Sequence, residues 1–174
     1  LEALETIGQW RTNENDSFPN KAAEDVIAAA IANLGPEVVI TVLPLNLDNS
    51  QAGPGRAWLL PLLRDNVRFA SLNFFKNNIL KYVQFFEEKI QSSEQKQSVT
   101  NKVFQTIIDQ IWSLLPHFCD LPNDLPQAFD EQFASQLADL LYSQVHLRVP
   151  ICNALKMLVE LNLAYSEGAM EDDK

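Results

Sequence analysis

The chain has 174 residues, of which 47% are hydrophobic and 21% are charged, and its formal net charge is −10. This composition is typical of a folded globular segment and not of a disordered one. The negative charge should repel nucleic acid and anionic membranes, so RNA binding would need a local basic patch. The apolar run at 57–63 is far shorter than the roughly 20 residues of a membrane span, and no secretory signal pattern begins the chain. We therefore expect no membrane association.

Helical periodicity recurs along the chain. It predicts helices over 1–10, 19–34, 65–91, 99–115, 128–142 and 151–165, with loops at 11–17, 47–55, 91–98 and 120–126. Residues 37–43 (EVVITVL) are short, apolar and β-branched, as in a strand, but between helices we interpret them as a short buried helix. Residues 166–174 (SEGAMEDDK) are predicted to form an acidic tail or linker. The total is six or seven helices.

The helix predicted over 65–91 carries apolar side chains in two directions. One stripe consists of Leu72, Phe75, Ile79, Tyr82, Val83, Phe86 and Ile90, and a second consists of Val67, Phe74 and Phe85. A helix with two apolar faces is covered from two sides, so we expect an internal layer of the fold. In the later helices, Val103, Ile108 and Trp112, and then Leu158, Val159 and Leu163, are predicted to face inward.

A Leu-Pro pair followed by aspartate four residues after the proline appears at 43–48, 60–65, 115–120 and 125–130. Proline disrupts the interior of a helix, and aspartate caps the start of one. The pattern is therefore suited to the boundaries between packed helices. The segments AWLLPLLRD (57–65) and IWSLLPHFCD (111–120) look like related units, in which Pro61 is expected to break the helix. The predicted architecture is an all-α solenoid of HEAT- or armadillo-like repeats, with a closed helical bundle as the alternative.

The segment GRAWLLPLLRDNV (55–67) resembles the signature of the ribosomal RNA-processing protein 12 family, a family of nucleolar HEAT-repeat proteins. VLPLNL (42–47) and QIWSLLPHFCDLPND (110–124) also resemble family segments, in the same order. The full run GRAWLLPLLRDNVRFASLNFF is similar to the fungal members. Members are much longer than this chain, which also lacks an initial Met, so the resemblance implies that residues 1–165 are one helical-repeat segment of a longer solenoid.

The resemblance implies a role and no catalytic site. Family members associate with ribosome precursors and support rRNA processing, maturation of the small subunit and nuclear export of subunits. The implied location is the nucleus and nucleolus, with shuttling to the cytoplasm, and the implied partners are pre-ribosomal proteins and pre-rRNA. The expected function is thus a non-enzymatic scaffold segment. The alternative is a transport-receptor-like module that binds the GTPase Ran or nucleoporin peptides.

The only basic island in the chain runs from Arg56 to Lys81. It makes six residues candidates for partner binding: Arg56, Trp58, Arg64, Arg68, Lys76 and Lys81. Arginine suits forked contacts with rRNA phosphate or with an acidic neighbour. The alternative is that the arginines pair with Asp65 or cap carbonyls between helices. Two of the three tryptophans, Trp58 and Trp112, are predicted to be core or wedge residues more often than base-stacking platforms.

Metal binding and catalysis find no support in the sequence. His117, Cys119, His146 and Cys152 do not have the spacing of a zinc finger. Both cysteines have apolar neighbours, which predicts two buried, reduced thiols of an intracellular protein. GPG at 53–55 lacks the lysine and the strand-to-helix setting of a phosphate loop, and nothing pairs a nucleophile with a base. We expect no catalytic residue, no metal and no cofactor.

Overall fold

The structure is a computed structural model that describes residues 1–12, 20–48, 55–94 and 98–172, with side chains up to residue 164. The predicted loops at 11–17, 47–55 and 91–98 lie partly outside these ranges. In the described ranges the chain forms eleven α-helical segments and no strand, which confirms the all-α prediction. They are α1 (Glu2–Thr12), α2 (Asn20–Leu34), α3 (Pro36–Val42), α4 (Leu59–Asn66), α5 (Leu72–Phe74), α6 (Leu80–Ser92), α7 (Val99–Trp112), α8 (Leu115–Phe118), α9 (Leu125–Ala128), α10 (Glu131–Ser143) and α11 (Arg148–Asp172).

One hydrophobic core runs from Leu4 in α1 to Leu158 in α11. Most of its extensive helix contacts join elements that lie close in the sequence, namely α1 with α2, α2 with α3 and α4, and α6 with α7, while α8 also packs extensively on the more distant α11. Layers that pack mainly on their neighbours are typical of stacked helical repeats. Among the described residues, no helix is both long enough and apolar enough to cross a membrane.

The segment 37–43 lies almost entirely in α3, as predicted from its position between helices. Gly35 ends α2 with a positive φ of 87°, which glycine adopts without strain. Pro36 then occupies the start of α3, where its missing N–H costs no hydrogen bond. Val39 is buried, and Ile40 and Val42 pack against the core, which overrides their strand preference, whereas Val38 and Thr41 are exposed.

Pro61 lies within the first turn of a helix, whereas the sequence interpretation made it a helix breaker. It lies in the first turn of α4, where backbone N–H groups have no acceptor within the helix. Pro116 and Pro126 occupy the same kind of position in α8 and α9. Three of the four Leu-Pro pairs therefore mark helix starts. Of the aspartates that follow the pairs, Asp130 does cap a helix, since its carboxylate accepts the N–H of Phe133 at 2.7 Å.

The long helix predicted over 65–91 begins at Leu72 instead of Asp65. Asp65 lies in α4, and the chain is extended at Val67, with φ −76° and ψ 126°. Ser71 caps the new helix, because its Oγ accepts the N–H of Phe74 at 2.9 Å. A π-helical turn at Phe75–Ile79 then joins α5 to α6, so that helical structure continues to Ser92.

The two apolar faces predicted for this helix are both covered. Six side chains of the first stripe are buried, and they are Leu72, Phe75, Ile79, Tyr82, Val83 and Phe86. Phe75 packs on Phe118 of α8 with a centroid distance of 5.2 Å, and Phe86 packs on Phe104 of α7 at 5.0 Å. In the second stripe Val67 is buried, and Phe74 and Phe85 are half-buried against the core. Both apolar faces are therefore packed, but Lys81, Gln84 and Glu88 leave a third flank of the helix exposed, so the helix is only partly internal.

Three residues predicted to face inward are exposed. Val103 lies five positions before Ile108 in α7, so it is about 140° away around the helix and is 51% exposed. Val159 and Leu163 point away from the buried face of α11 and are 65% and 56% exposed. At the C-terminal end of this helix the backbone stays helical to Asp172, beyond the predicted end at residue 165. By contrast, α7 is shorter than the predicted helix over 99–115. It ends at Trp112, because Pro116 lies at the start of the separate helix α8.

Candidate partner-binding surface

Arg56 joins the loop after α3 to the start of α4. Its Nη1 donates to the carbonyl of Pro44 at 2.7 Å, and its backbone N–H donates to the carbonyl of Leu45 at 2.8 Å. Burial lowers the pKa of Arg56, and the charge of Glu5 partly opposes this change. The side chain is half-buried, and its bond to the Pro44 carbonyl is the kind of contact expected under the alternative to partner binding.

Trp58 precedes α4 and lies between the first helices. The guanidinium of Arg11 lies over the Trp58 ring at 5.0 Å from its centroid, a cation–π contact. Arg11 is held in turn by Glu24 of α2, with 2.6 Å between Nε and Oε1. Trp58 is half-buried and packs against the core, which fits the predicted wedge between helices.

Arg64 and Asp65 form an ion pair at the surface. Their Nε and Oδ1 atoms are 2.7 Å apart, and their side chains are 47% and 59% exposed. The hydrogen bond from Arg64 lowers the pKa of Asp65, and the same bond raises the pKa of Arg64. Exposed pairs of this kind contribute only about 0–1 kcal/mol, so the guanidinium can exchange Asp65 for another anion at little cost.

Arg68 reaches across the fold to Asp120. The distance from Nε to Oδ2 is 2.7 Å, and the side chain of Arg68 is 61% exposed while that of Asp120 is only 10% exposed. Backbone hydrogen bonds connect the same two segments. Phe69 N–H donates to the carbonyl of Asp120 at 3.0 Å, and Asn123 N–H donates to the carbonyl of Ala70 at 3.2 Å. These bonds to a distant loop replace helical bonds and explain the break before Leu72.

Asp124 completes this connection and was not found from the sequence. Its carboxylate accepts hydrogen bonds from Ser71 Oγ at 2.6 Å and from the N–H groups of Leu72 and Asn73 at 2.8 and 3.1 Å. Glu37 accepts the N–H of Ser71 at 2.6 Å. Burial raises the pKa of Asp124, but the bonds from Ser71, Asn73 and Leu72 outweigh this effect, so its pKa lies below the ordinary value. A carboxylate from a distant loop thus caps α5.

The two lysines of the basic island have different surroundings. Lys76 is largely buried, with 17% of its side chain exposed, and its Nζ donates to the Ala128 carbonyl at 2.7 Å and lies 3.0 Å from Asp130 Oδ2. Lys81 is exposed, and its Nζ lies over the Tyr82 ring at 4.9 Å. Lys76 therefore connects α9 and α10 to the π-helical turn, whereas the charge of Lys81 faces solvent.

The six predicted site residues thus fall into two groups. Arg56, Trp58 and Lys76 are packed between helices, while Arg64, Arg68 and Lys81 keep much of their charged groups in solvent. Their partners belong to different elements, so the island does not form one basic stripe. Electrostatic attraction of a phosphate would come mainly from the exposed group.

The cysteines and histidines do not assemble into a metal site. No group of three or more His, Cys, Asp or Glu side chains within the described ranges has the arrangement to hold a metal ion. Cys119 is buried, and its burial raises the pKa of the thiol to about 12. Cys152 is exposed in α11, so the prediction of two buried thiols is wrong for this residue. Its apolar neighbours in sequence lie on other faces of the helix.

Comparison with known proteins places the chain in a family. A family model described as "Ribosomal RNA-processing protein 12, HEAT repeats" matches residues 1–174. The Saccharomyces cerevisiae protein named "Ribosomal RNA-processing protein 12" is 47% identical over 169 residues, which is 96% of this chain and 14% of that protein. A Schizosaccharomyces pombe relative is 43% identical over 175 residues, covering 99% of the chain and 15% of its own length.

More distant relatives show the same relationship. The "RRP12-like protein" of Homo sapiens is 36% identical over 146 residues, which is 82% of this chain and 11% of that protein. The chain therefore spans only a small part of each of these relatives. The helical layers described above and the match over all of its residues agree on one assignment: the chain belongs to the ribosomal RNA-processing protein 12 family and is a HEAT-repeat helical solenoid.

Proposed function

We propose that this chain is a binding segment of a ribosome-biogenesis factor that acts in rRNA processing. The observation that carries the proposal is the 47% identity, over 96% of the chain, to a protein named for ribosomal RNA processing. Within this role, the segment supports small-subunit maturation and export of subunits from the nucleus. Its location is then the nucleolus and nucleus, and its partners are pre-ribosomal proteins and pre-rRNA.

The proposed mechanism is geometric and involves no chemical step on a substrate. Stacked helices present a long surface, and contacts spread along it hold the components of a particle in place. The ion pair between Arg68 and Asp120 and the cap formed by Asp124 support this role, because they fix the angle between α4 and the layer that begins at α5. A rigid relation between layers keeps distant contact points in register.

We further propose that residues 1–165 form one segment of a longer solenoid. The S. cerevisiae relative is much longer than the chain, which spans 14% of it. On α11, Val149, Val159 and Leu163 are 69%, 65% and 56% exposed. A further helical layer packed on this face would remove apolar surface from water, at about 25 cal/mol for each Å² buried.

Within the basic island, Arg64, Arg68 and Lys81 are proposed to contact rRNA phosphates. Their exposure supports this assignment, as does the weak surface pair that holds Arg64. Arg56, Trp58 and Lys76 are proposed to contribute by holding the helices that carry the exposed cations. Because Arg68 also pairs with Asp120, the cleanest test of RNA contact changes Arg64 and Lys81 instead.

The test is protein–RNA crosslinking in cells that express the protein carrying this segment with the changes Arg64→Glu and Lys81→Glu. We expect the yield of rRNA crosslinks from this segment to fall by about tenfold, because two cation–phosphate contacts are lost. The matched control is Lys21→Glu with Lys102→Glu, two exposed lysines in α2 and α7. An equal loss in the control, or crosslinks that map to Ran or to nucleoporins instead of rRNA, would contradict the proposal and favour the transport alternative.

A further inference from the structure

A groove of about 490 Å³ lies where the π-helical turn and α6 face α10. This volume is within the range of about 300–1,000 Å³ found for sites that bind small ligands. The floor is apolar and is formed by Leu80, Val83, Trp112 and Phe133. Trp112 is only 2% exposed and has edge-on contact with Phe75 at a centroid distance of 6.4 Å, so the floor is anchored in the core.

The walls of the groove are rich in carboxamides. Asn73 and Asn77 lie on one side, Gln132 and Gln136 lie on the other, and Gln84 lies one helical turn beyond Leu80. Within the described part of the chain, none of these five side chains makes a hydrogen bond to another residue. Each offers an acceptor oxygen and two N–H donors. This is the same combination that a peptide backbone presents, and an extended backbone has no internal partner for it.

The charges in the groove favour a basic or neutral occupant. Lys76 is the cation in the wall, and Asp130 pairs with it at 3.0 Å. Glu87 also lines the groove and forms no ion pair with the described residues. Glu87 is exposed at the edge of the groove, but partial desolvation of its carboxyl group raises its pKa, so an added positive charge beside it would be favourable. A phosphate group would instead meet two carboxylates and a cation that is already paired.

We propose that this groove binds an extended peptide segment of a partner protein, with a lysine or arginine of that segment placed against Glu87. The carboxamides hydrogen-bond to the peptide backbone, and the apolar floor accepts an apolar side chain next to the basic one. Main-chain bonds of this kind supply affinity, while the pockets for side chains supply specificity. The site goes beyond the proposed rRNA contacts, because it uses neither Arg64 nor Lys81 and needs no RNA.

The test measures binding of short fluorescent peptide pools to the purified chain by fluorescence anisotropy. The pools have random sequence around one fixed central residue, which is Lys, Arg, Ala or Glu. We expect the Lys and Arg pools to bind about tenfold more tightly than the Glu pool, because Glu87 attracts the fixed cation and repels the fixed carboxylate. A short oligouridine is the RNA competitor, and we expect it not to displace the Lys pool.

Two variants, each with a matched control, show where on the structure the peptide binds. Asn77→Ala combined with Gln136→Ala should weaken binding of the Lys pool by about tenfold, because two hydrogen bonds are removed. Glu87→Gln should reduce the preference for Lys over Ala to less than about twofold. The controls are the neighbouring exposed residues, Asn78→Ala and Glu88→Gln, which do not line the groove and should change binding by less than about twofold.

Three results would overturn the inference. The first is binding of the Glu pool as tight as that of the Lys pool. The second is displacement of the peptides by oligouridine, which would make the groove an RNA site. The third is a failure of all pools to bind to chain whose circular dichroism shows intact helices. Since the assay contains no ribosomal component, each of these results leaves the rRNA-processing role to be judged by its own crosslinking test.

Discussion

Asp124 and Ser71 are 53 residues apart in sequence, and their side chains are joined by a hydrogen bond of 2.6 Å. The same carboxylate accepts the N–H groups of Leu72 and Asn73, so it supplies the acceptors that the first turn of α5 lacks. Through this cap the loop after α8 holds the start of the central helical layer. The orientation of that layer therefore depends on this acidic side chain together with the bonds that Glu37 and Asp120 make to Ser71, Arg68 and Phe69.

Asp124→Asn should lower the free energy of unfolding by about 1–3 kcal/mol, because a charged acceptor of three hydrogen bonds is replaced by a neutral one. Urea denaturation followed by circular dichroism measures the change. The matched control is Asp139→Asn, an exposed residue of α10, and its effect should stay within about 0.5 kcal/mol. Equal effects of the two substitutions would mean that the cap contributes nothing.

The contribution of Asp124 should also depend on pH. Its pKa in the fold lies below the ordinary value, which is about 3.9 in an unfolded chain. The stabilisation is therefore present above about pH 4 and is lost as the pH falls through the lowered pKa. We expect the difference in unfolding free energy between the wild-type chain and Asp124→Asn to shrink in this acidic range. A difference that stays constant down to the acid transition would contradict the assignment.

Arg68 and Arg64 should differ in their effect on stability although both are exposed. Arg68→Ala leaves the carboxylate of Asp120 unpaired, and Asp120 Oδ1 is already buried without a hydrogen bond to the described residues. We expect a loss of about 1–2 kcal/mol in unfolding free energy, at the lower end for buried charges because Arg68 is solvated.

Arg64→Ala is the matched control, and it should cost less than about 0.5 kcal/mol because its partner Asp65 is exposed to solvent. Combining Arg68→Ala with Asp120→Ala should recover part of the loss, since the orphaned carboxylate is then removed. The unfolding curves of the wild-type chain, Arg68→Ala, Asp120→Ala and the double variant form a double-mutant cycle. A coupling energy near zero between Arg68 and Asp120 would show that the pair does not hold the two segments together.

The two cysteines should react at very different rates with a thiol reagent. Cys152 is exposed, whereas Cys119 is buried with a pKa raised to about 12, so at neutral pH its reactive thiolate is almost absent. We expect one thiol to be labelled in the native chain and a second only after urea is added. Mass spectrometry of the labelled peptides identifies each site, and native labelling of Cys119 would mean that the core around α8 is open.

Burial of Cys119 also gives a stability change at high pH. A thiol in an unfolded chain ionises near pH 8.5, whereas in the fold its pKa is about 12. The unfolded state alone therefore loses protons above about pH 8.5, and the free energy of unfolding should fall from there upward. Cys119→Ala removes this dependence, and the comparison of the two pH profiles isolates it from the contribution of other groups.

Local periodicity was sufficient to predict most of the helices, and distant contacts explain where it failed. The buried stripe of α6 is predicted by apolar residues that recur at spacings of three and four along the sequence. The break at Val67 depends on hydrogen bonds between Phe69 and Asp120 and between Ala70 and Asn123, and no local pattern signals such bonds. Exposed Val103 was misjudged because an apolar residue type does not specify which face it occupies.

The candidate site shows the same division. Arg64 and Asp65 are adjacent, so their pairing was foreseen as an alternative to partner binding. The partner of Arg68 is 52 residues away, and the carboxamides of the groove come from separate helices, so only the fold brings these groups together. The resemblance carried by residues 55–67 identified the family correctly, but a family signature does not say which of its arginines face solvent.

Gly8 of α1 packs directly against Leu43 at the end of α3. A Cβ atom at Gly8 would lie 2.3 Å from Leu43 Cδ2, and Leu43 is fully buried, so it has no free space into which to move. Replacing glycine by alanine in a helix normally gains about 0.5–1 kcal/mol. Here we expect Gly8→Ala to lower the free energy of unfolding by about 1–3 kcal/mol, because overpacking outweighs that gain.

The double variant distinguishes this contact from a general defect of α1. Leu43→Ala by itself should be destabilising through the cavity it leaves, but in that background Gly8→Ala should be neutral or stabilising, since its methyl group then fills part of the space. Gly55→Ala, whose nearest non-neighbouring atom would be 3.5 Å from the new Cβ, serves as a control with a small expected effect. If Gly8→Ala is stabilising in the wild-type background as well, α1 does not pack on the end of α3, and the first layer of the solenoid is looser than the structure shows.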